Sequence, residues 1–362
     1  MPRLPRLAAL VLALALLLGL LDWWPARAQT PAAPGAPAEA AAEPAPTPAA
    51  EPKADPKAVT SAVVRGAVGV ITNEGGNIGV LSGPDGILLV DAGFARQAEP
   101  IRAAIAALAT PAAASPPSPP APPSPPAPAK PAASPAAAPA PSAAPAVPAP
   151  RLLVNTHFHA DHTDGNAGFV ATGALIVAHE NTHRRLAEGS MLEAFELVTP
   201  PAAPANLPPI TFERDLRLRL NGETIDLQHL PAAHTDGDLI VRFRNADVIH
   251  AADVWFNGMY PFIDTRHGAT LAGAIAGVDR VLLLAGDDTR IIPGHGPVGS
   301  RSELATYRAM LATVQGRLAA LKTQGFTLPQ VLEARPLADL EATWGQGLFK
   351  GDRWLELIWN GV

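Results

Sequence analysis

The stretch Asn155-Thr156-His157-Phe158-His159-Ala160-Asp161-His162 carries three imidazoles and a carboxylate within six residues. Packing alone does not call for such a run. Neutral imidazole and carboxylate are ligands for zinc and related first-row metals. On an extended loop, side chains two residues apart point the same way, so His157 and His159 can grip one ion. Asp161 and His162 can turn towards a second. Three further candidates are His234 in Ala233-His234-Thr235-Asp236-Gly237-Asp238, Asp253 after the apolar run 248–251, and His295 in Pro293-Gly294-His295-Gly296. Each of the three is weak alone. Together they describe ligands delivered by the ends of successive strands, as layered α/β folds deliver them.

The elements that must position these residues are legible as alternating runs. Residues 63–72, 77–82 and 86–90 are β-branched stretches, the last two separated by the turn signal Gly83-Pro84-Asp85-Gly86. Ile101, Ile105 and Leu108 sit at helical spacing, and 151–155 reads as a buried strand that leads into the histidine string. Further strands are expected at 174–178, 239–243, 248–251 and 289–292. A hairpin is expected within 210–230 about Asn221-Gly222. Leu271, Ile275, Val278 and Leu282 mark a helix, 300–321 a long one, and 327–362 short terminal ones carrying Trp344, Trp354 and Trp359. Interleaved strands and helices give an α/β layered fold.

The chain has 362 residues, and 25 of its 41 prolines fall within 31–60 and 111–150. Alanine and proline bury little, so these stretches cannot offset the entropy of ordering. Residues 29–58 are expected to be a disordered tether, and 111–150 a disordered insertion in one domain spanning 59–362. Arg3 and Arg6, the apolar run 7–21 and Ala26-Arg27-Ala28 read as a secretory signal peptide cut after Ala28, with an uncleaved anchor as the alternative. That run is shorter than the ~20 residues a bilayer span needs. The expected product is therefore exported and periplasmic, without a membrane span. There are no cysteines, which excludes disulfides, thiolate ligands and a cysteine nucleophile. With a net charge of −6 and no Lys/Arg run, a nucleic-acid surface is not expected. The expected partner is a small-molecule substrate; oligomeric state is not legible.

With these residues in view, the sequence resembles the metallo-β-lactamase superfamily over about residues 60–325. His157, His159, Asp161 and His162 match its His-x-His-x-Asp-His motif, and His234, Asp253 and His295 match the remaining metal positions in chain order. Val90-Asp91-Ala92-Gly93 matches an early strand-end aspartate. The resemblance implies a four-layer αβ/βα sandwich with a two-zinc site at one edge of the sheets. It gives one zinc to His157, His159 and His234, and the other to Asp161, His162 and His295, with Asp253 bridging. That set is closer to the glyoxalase II type than to lactamases with a cysteine ligand. Iron or manganese could stand in place of zinc.

The ligands suggest the mechanism. Two zincs leave room for a bridging water whose pKa falls towards about 7, and the hydroxide attacks a carbonyl or ester carbon. Asp161 can orient that hydroxide while ligating. Asp91, Thr156 and Asp238 are candidate hydrogen-bond partners of the ligand imidazoles. His179-Glu180-Asn181-Thr182-His183 fits the zinc-protease pattern His-Glu-x-x-His. That pattern needs both histidines on one helix face, and the preceding strand runs straight into His179, so a chance match is expected. His229, His250 and His267 read as structural or rim residues.

Residues 256–264 follow Asp253 and should line the mouth of the site, with Asn257, Tyr260 and Phe262 as candidate pocket residues. Phe256 stands where lactamases of the cysteine-ligand class commonly carry a substrate-binding lysine. The expected activity is hydrolysis of a small ester, amide, lactam or thioester. A true β-lactamase is the alternative within this class, and a non-catalytic metal-binding or interaction protein the alternative outside it.

Overall fold

A computed structural model describes residues 58–109, 149–230 and 232–362. The expected signal peptide and tether lie outside the described residues, as does the expected insertion apart from its last two positions.

The first sheet holds seven strands: β1 (Thr60–Arg65), β2 (Val68–Thr72), β3 (Ile78–Leu81), β4 (Ile87–Val90), β5 (Pro150–Val154) and β6 (Leu175–His179), with β9 (Ile210–Phe212) at the far edge. A small hairpin, β7 (Ser190–Leu192) with β8 (Leu197–Thr199), branches off between β6 and β9. The second sheet runs in chain order through β10 (Asp215–Leu220), β11 (Glu223–Leu230), β12 (Asp238–Phe243), β13 (Val248–Phe256), β14 (Arg290–His295) and β15 (Gly299–Ser300). The stretch 63–72, read as one strand, is two, because Gly66 takes a left-handed φ of 58° and turns the chain back into an antiparallel pair.

Between the sheets lies an apolar layer in which Val70, Leu88 and Val154 meet Leu227, Val241 and Ile292. The other face of the first sheet packs on α1 (Ala98–Ala109) through Ile101 and Ile105, and on α3 (Asn166–Val170) through Phe169. The short α2 (Ala160–Thr163) and α4 (Glu180–Glu188) follow β5 and β6. On the far side of the second sheet lie α5 (Leu271–Leu284) and α6 (Arg301–Thr323), followed by the terminal α7 (Leu328–Ala334), α8 (Glu341–Trp344) and α9 (Gly351–Ile358). Four layers result, helix–sheet–sheet–helix, as the αβ/βα expectation requires.

Local chemistry explains the key elements. Asn221 and Gly222 both have positive φ, 56° and 72°, which a two-residue hairpin between β10 and β11 demands. Along β10, Leu216, Leu218 and Leu220 point to the inter-sheet core while Asp215, Arg217 and Arg219 face out. Helix α6 buries Leu304, Tyr307, Leu311, Val314 and Leu318, a 3–4 spacing that makes one apolar stripe, and Ser300 and Glu303 close its start as a capping box.

Pairing is parallel between β4, β5, β6 and β9 and again between β13 and β14. The C-terminal ends of β4, β5 and β14 therefore meet at one edge. A backbone hydrogen bond from Asn77 N to Gly294 O, 2.7 Å, joins the two sheets there.

Candidate metal centre

Strand β5 ends at Val154, and the histidine string turns from extended backbone into helix within five residues. His159 is still extended (φ −63°, ψ 147°) and caps α2, so Asp161 and His162 fall in that helix's first turn. The turn brings the His162 ring to 4.2 Å from that of His157 and places Asp161 Oδ2 3.5 Å from His162 Nε2. His234 comes from the loop between β11 and β12. His295 ends β14.

Asp253 departs from expectation. It does not end a strand: β13 continues to Phe256, and the register with β14 slips on either side of Ala252. Ala252 sits at a positive φ of 48°, and this bulge aims the Asp253 carboxylate into the cluster. Gly294 on the neighbouring strand leaves the room, since a Cβ there would collide with Asp253 Oδ1. Gly76 is required for the same reason, as its Cβ would strike the His162 ring.

The seven residues converge as two groups whose ligand atoms lie within 4.8 Å of one another: His157, His159, His234 and Asp253, then Asp161, His162 and His295. Asp253 touches both. Its Oδ2 is 3.3 Å from His234 Nε2 and 3.3 Å from His295 Nε2, and its Oδ1 is 3.0 Å from His162 Nε2. Asp161 Oδ2 lies 3.3 Å from His295 Nε2.

The outward nitrogens of the four buried rings are spoken for. His162 Nδ1 donates to Asp91 Oδ2 at 2.8 Å, and His234 Nδ1 to the Phe262 carbonyl at 2.7 Å. Thr156 Oγ1 gives its proton to Asp91 at 2.8 Å, which leaves it to accept from His157 Nδ1 at 3.0 Å. His159 Nε2 donates to Asp264 Oδ2 at 2.9 Å. His157, His159 and His234 therefore present a lone pair inward, and His162 turns its Nε2 inward onto Asp253 Oδ1. His157 Nε2 is buried and makes no hydrogen bond, and His162 Nε2 and Asp253 Oδ1 meet only each other, 3.0 Å apart, at the middle of the cluster. A buried acceptor left unpaired is costly unless a cation satisfies it, and five imidazoles and two carboxylates converge on the same space, so the donor set fits a metal centre.

The charges follow from the same geometry. Burial lowers His157 well below the ordinary histidine value and lowers His234 to about 4. Burial works against protonation of His295 too, but Asp253 and Asp161 prevail and raise it to about 9. His162 is raised as well, against its own burial, by Asp253, Asp161 and Asp91. Asp161 and Asp253 resist the upward push of burial and stay ionised beside these imidazoles. Without metal, the protons on His162 and His295 occupy space for which a metal ion would compete.

Of the candidate supporting residues, Asp91 and Thr156 meet ligand rings as expected. Asp91 also accepts from the Thr156 backbone N–H at 2.8 Å and holds a left-handed φ of 70°. Asp238 does not touch a ring. It accepts from the backbone N–H groups of His234 (2.5 Å) and Thr235 (2.8 Å) and from the Thr235 hydroxyl, and burial pushes it up to about 7 against those donors. It shapes the His234 loop rather than the imidazole. Asp264 takes the ring-orienting role for His159 instead, and His267 Nδ1 donates to the same oxygen at 2.7 Å. The sequence showed Asp264 only as one polar residue in the segment 256–264.

His179 caps α4 by accepting from Asn181 N, and His183 Nδ1 donates to the Pro208 carbonyl, so the two do not share a metal-binding face. His229 stacks on His179 at 3.6 Å, and His250 donates to the Asn77 carbonyl beneath the sheet edge.

The cluster opens into a cavity of about 850 Å³ that Phe262 lines. Asn257 and Tyr260 do not line it. Asn257 Nδ2 donates to the Pro297 carbonyl, and Tyr260 is fully buried, its ring stacked on Trp354 at 4.4 Å. An apolar ring in that segment packs inward wherever the terminal helices offer a partner. Phe256 stacks on His295 at 4.8 Å.

A family model described as the metallo-beta-lactamase superfamily matches residues 71–295, a span that contains all seven cluster residues. The stereoselective inverting sec-alkylsulfatase Pisa1 from Pseudomonas sp. is similar in fold, with a TM-score of 0.54 and 17% identity over 83% of this chain and 50% of that one. A metallo-beta-lactamase from Cronobacter sakazakii is similar at a TM-score of 0.51 and 20% identity, covering 73% of this chain and 96% of that one. A search of curated proteins found no match.

Proposed function

The chain belongs to the metallo-beta-lactamase superfamily, and on that premise we propose that it is an exported two-metal hydrolase of a small ester, amide, lactam or thioester. The observation that carries this reading is the convergence of five imidazoles and two carboxylates into two groups of ligand atoms, with the buried His157 Nε2 left unpaired among them. His157, His159 and His234 would hold one ion, Asp161, His162 and His295 the other, and Asp253 would bridge. Zinc is the metal this nitrogen-and-carboxylate set suits best. When bound, it supplies Lewis acidity that polarises the substrate and lowers the pKa of water.

The chain's own residues supply the rest. Asp161 reaches the cavity and remains ionised beside His162 and His295, so its carboxylate can accept an O–H from water and fix the direction of attack. Asp91, Thr156, Asp264 and the Phe262 carbonyl lock four rings in the tautomers that face inward. Buried walls around Asp253 exclude competing water from the deep side. Phe256 supplies no charge where a carboxylate-binding lysine would stand in a lactamase of the cysteine-ligand class, which favours substrates other than β-lactams.

Elemental analysis should find close to two metals per chain. His159→Ala should lose at least one and abolish chelator-sensitive hydrolysis across a panel of chromogenic esters, lactones and cephalosporins. One metal with unchanged activity in that variant would overturn the two-metal reading, and turnover of no panel member would favour a non-catalytic metal-binding protein. Export rests on the basic start, the apolar run 7–21 and Ala26-Arg27-Ala28. Mass spectrometry of the periplasmic protein should find Gln29 as the mature N-terminus.

A further inference from the structure

The cavity in front of the metal centre has two unlike walls. One is polar and includes Asn73, Glu74 and Arg96. Arg96 is the sole Lys or Arg among the lining residues described, and it is occupied: its guanidinium pairs with Glu74 at 2.8 Å and stacks on Phe94 at 3.8 Å. The opposite wall is apolar. It combines Leu192, Phe195 and Leu197 of the β7–β8 hairpin with Met259, Phe262 and Leu348. Phe195 packs edge-on against Phe262 at 5.0 Å and lies 5.7 Å from Phe349, which fixes the hairpin tip against the loop after α8. Yet Phe195 stays 40% exposed, Leu197 39% and Leu348 48%, all facing the same space.

Large apolar side chains left in water around a concave site mark a surface that a ligand covers. This wall is continuous with the metal centre, because Phe262 also lies 5.6 Å from the His159 ring and lends its carbonyl to His234. A group held at the metals would therefore extend along it. We propose that the substrate carries a sizeable uncharged apolar arm, an alkyl or acyl chain or aromatic group, and that Phe195, Leu197 and Leu348 set the preference for it. The proposal rests on the hydrolase reading for where the reacting bond sits. Among the described lining residues of this wall, a polar or anionic arm finds no cation to offset its dehydration.

Two measurements test it on the zinc-loaded full chain. The first is kcat/KM for p-nitrophenyl esters from acetyl to decanoyl. Burying a methylene stabilises by ~0.8 kcal/mol, so the constant should climb up to about fourfold per methylene until the wall is filled. In Phe195→Asp the octanoyl-to-acetyl ratio should fall at least tenfold, and a ratio within one variant is insensitive to partial loss of active protein. A flat series in the wild type, or the same ratio in the variant, would overturn the proposal. The second is fluorescence titration with 11-(dansylamino)undecanoate, which needs no turnover. Saturable binding weakened at least tenfold by Phe195→Asp is expected. Equal binding in both proteins, or none in either, would overturn the apolar arm even if the hydrolase reading stands. Binding without hydrolysis of any ester would support the arm and count against the ester reading alone.

Discussion

Asp264 Oδ2 accepts from His159 Nε2 at 2.9 Å and from His267 Nδ1 at 2.7 Å, with Asp264 itself almost fully buried. The pair fixes which nitrogen of His159 faces inward: Nδ1, 2.9 Å from His234 Nε2. Burial alone would raise the Asp264 carboxyl, but hydrogen bonds from His159 and His267 keep it well below the usual carboxylate range. An anion so held fixes the tautomer and orientation of the His159 ring.

Replacing this carboxylate should loosen the metal without touching a ligand. Partners of this kind are worth about 10–100-fold in metal affinity or activity. Asp264→Asn should fall in that range in a chelator-competition titration, and His267→Ala should cost less because His159 keeps its acceptor. Wild-type affinity in Asp264→Asn would show that packing alone orients His159.

The centre was legible from sequence because its ligands are few in type and follow apolar runs, so strand ends could be read from both sides. What could not be read depends on backbone geometry. Ala252 with its positive φ looks like any strand alanine, so the bulge that turns Asp253 inward has no signature. Asp264 is 105 residues from His159. Nothing in the spacing distinguishes it from Asp238, which binds backbone instead. Tyr260 and Phe262 look alike in sequence. Trp354 decides that one is core, and the hairpin carrying Phe195 decides that the other lines the cavity.

Metal loading should release protons. His295 is raised to about 9 in the metal-free protein and His162 is raised as well, so both carry a proton at pH 7 that a metal must displace. A raised histidine stabilises the metal-free fold fully below its unfolded value of about 6.5, and that contribution fades as pH climbs through about 9. Metal affinity should move the opposite way and strengthen over the same window. Calorimetric titration with zinc in buffers of different ionisation enthalpy should report about two protons released at pH 7. Release near zero would mean that the imidazoles are already neutral.

The zinc-protease pattern at His179–His183 should be silent. His183 donates to the Pro208 carbonyl, and His179 is committed to the start of α4 and to the Glu213 carbonyl. His183→Ala should leave metal content and hydrolysis near wild type and cost about 0.5–1.5 kcal/mol, the worth of one ordinary hydrogen bond. Loss of a metal equivalent by elemental analysis would revive the protease reading.

Deleting the Pro-rich segment tests how far the site depends on it. Residues 111–150 contain Val147 as their sole large apolar residue, and prolines lack the N–H a sheet requires, so core packing gains little from them. The last of them, Pro150, does start β5, pairing with Ile87, and has to stay. On the other side α1 ends at Ala109, with the Leu108 carbonyl accepting from Ser82 Oγ. Both attachment points thus adjoin the turn between β3 and β4. The metal centre begins at the opposite end of β4, after Asp91, about 13 Å along the strand at ~3.3 Å per residue. Replacing 111–148 with a short Gly/Ser linker should therefore leave metal stoichiometry and kcat/KM unchanged. Loop-closure entropy favours the shorter chain by about 0.6 kcal/mol per halving, so Tm should hold or rise slightly. A fall of several degrees, or a tenfold loss of kcat/KM with metal retained, would show that the segment packs on the domain or reaches round to the cavity.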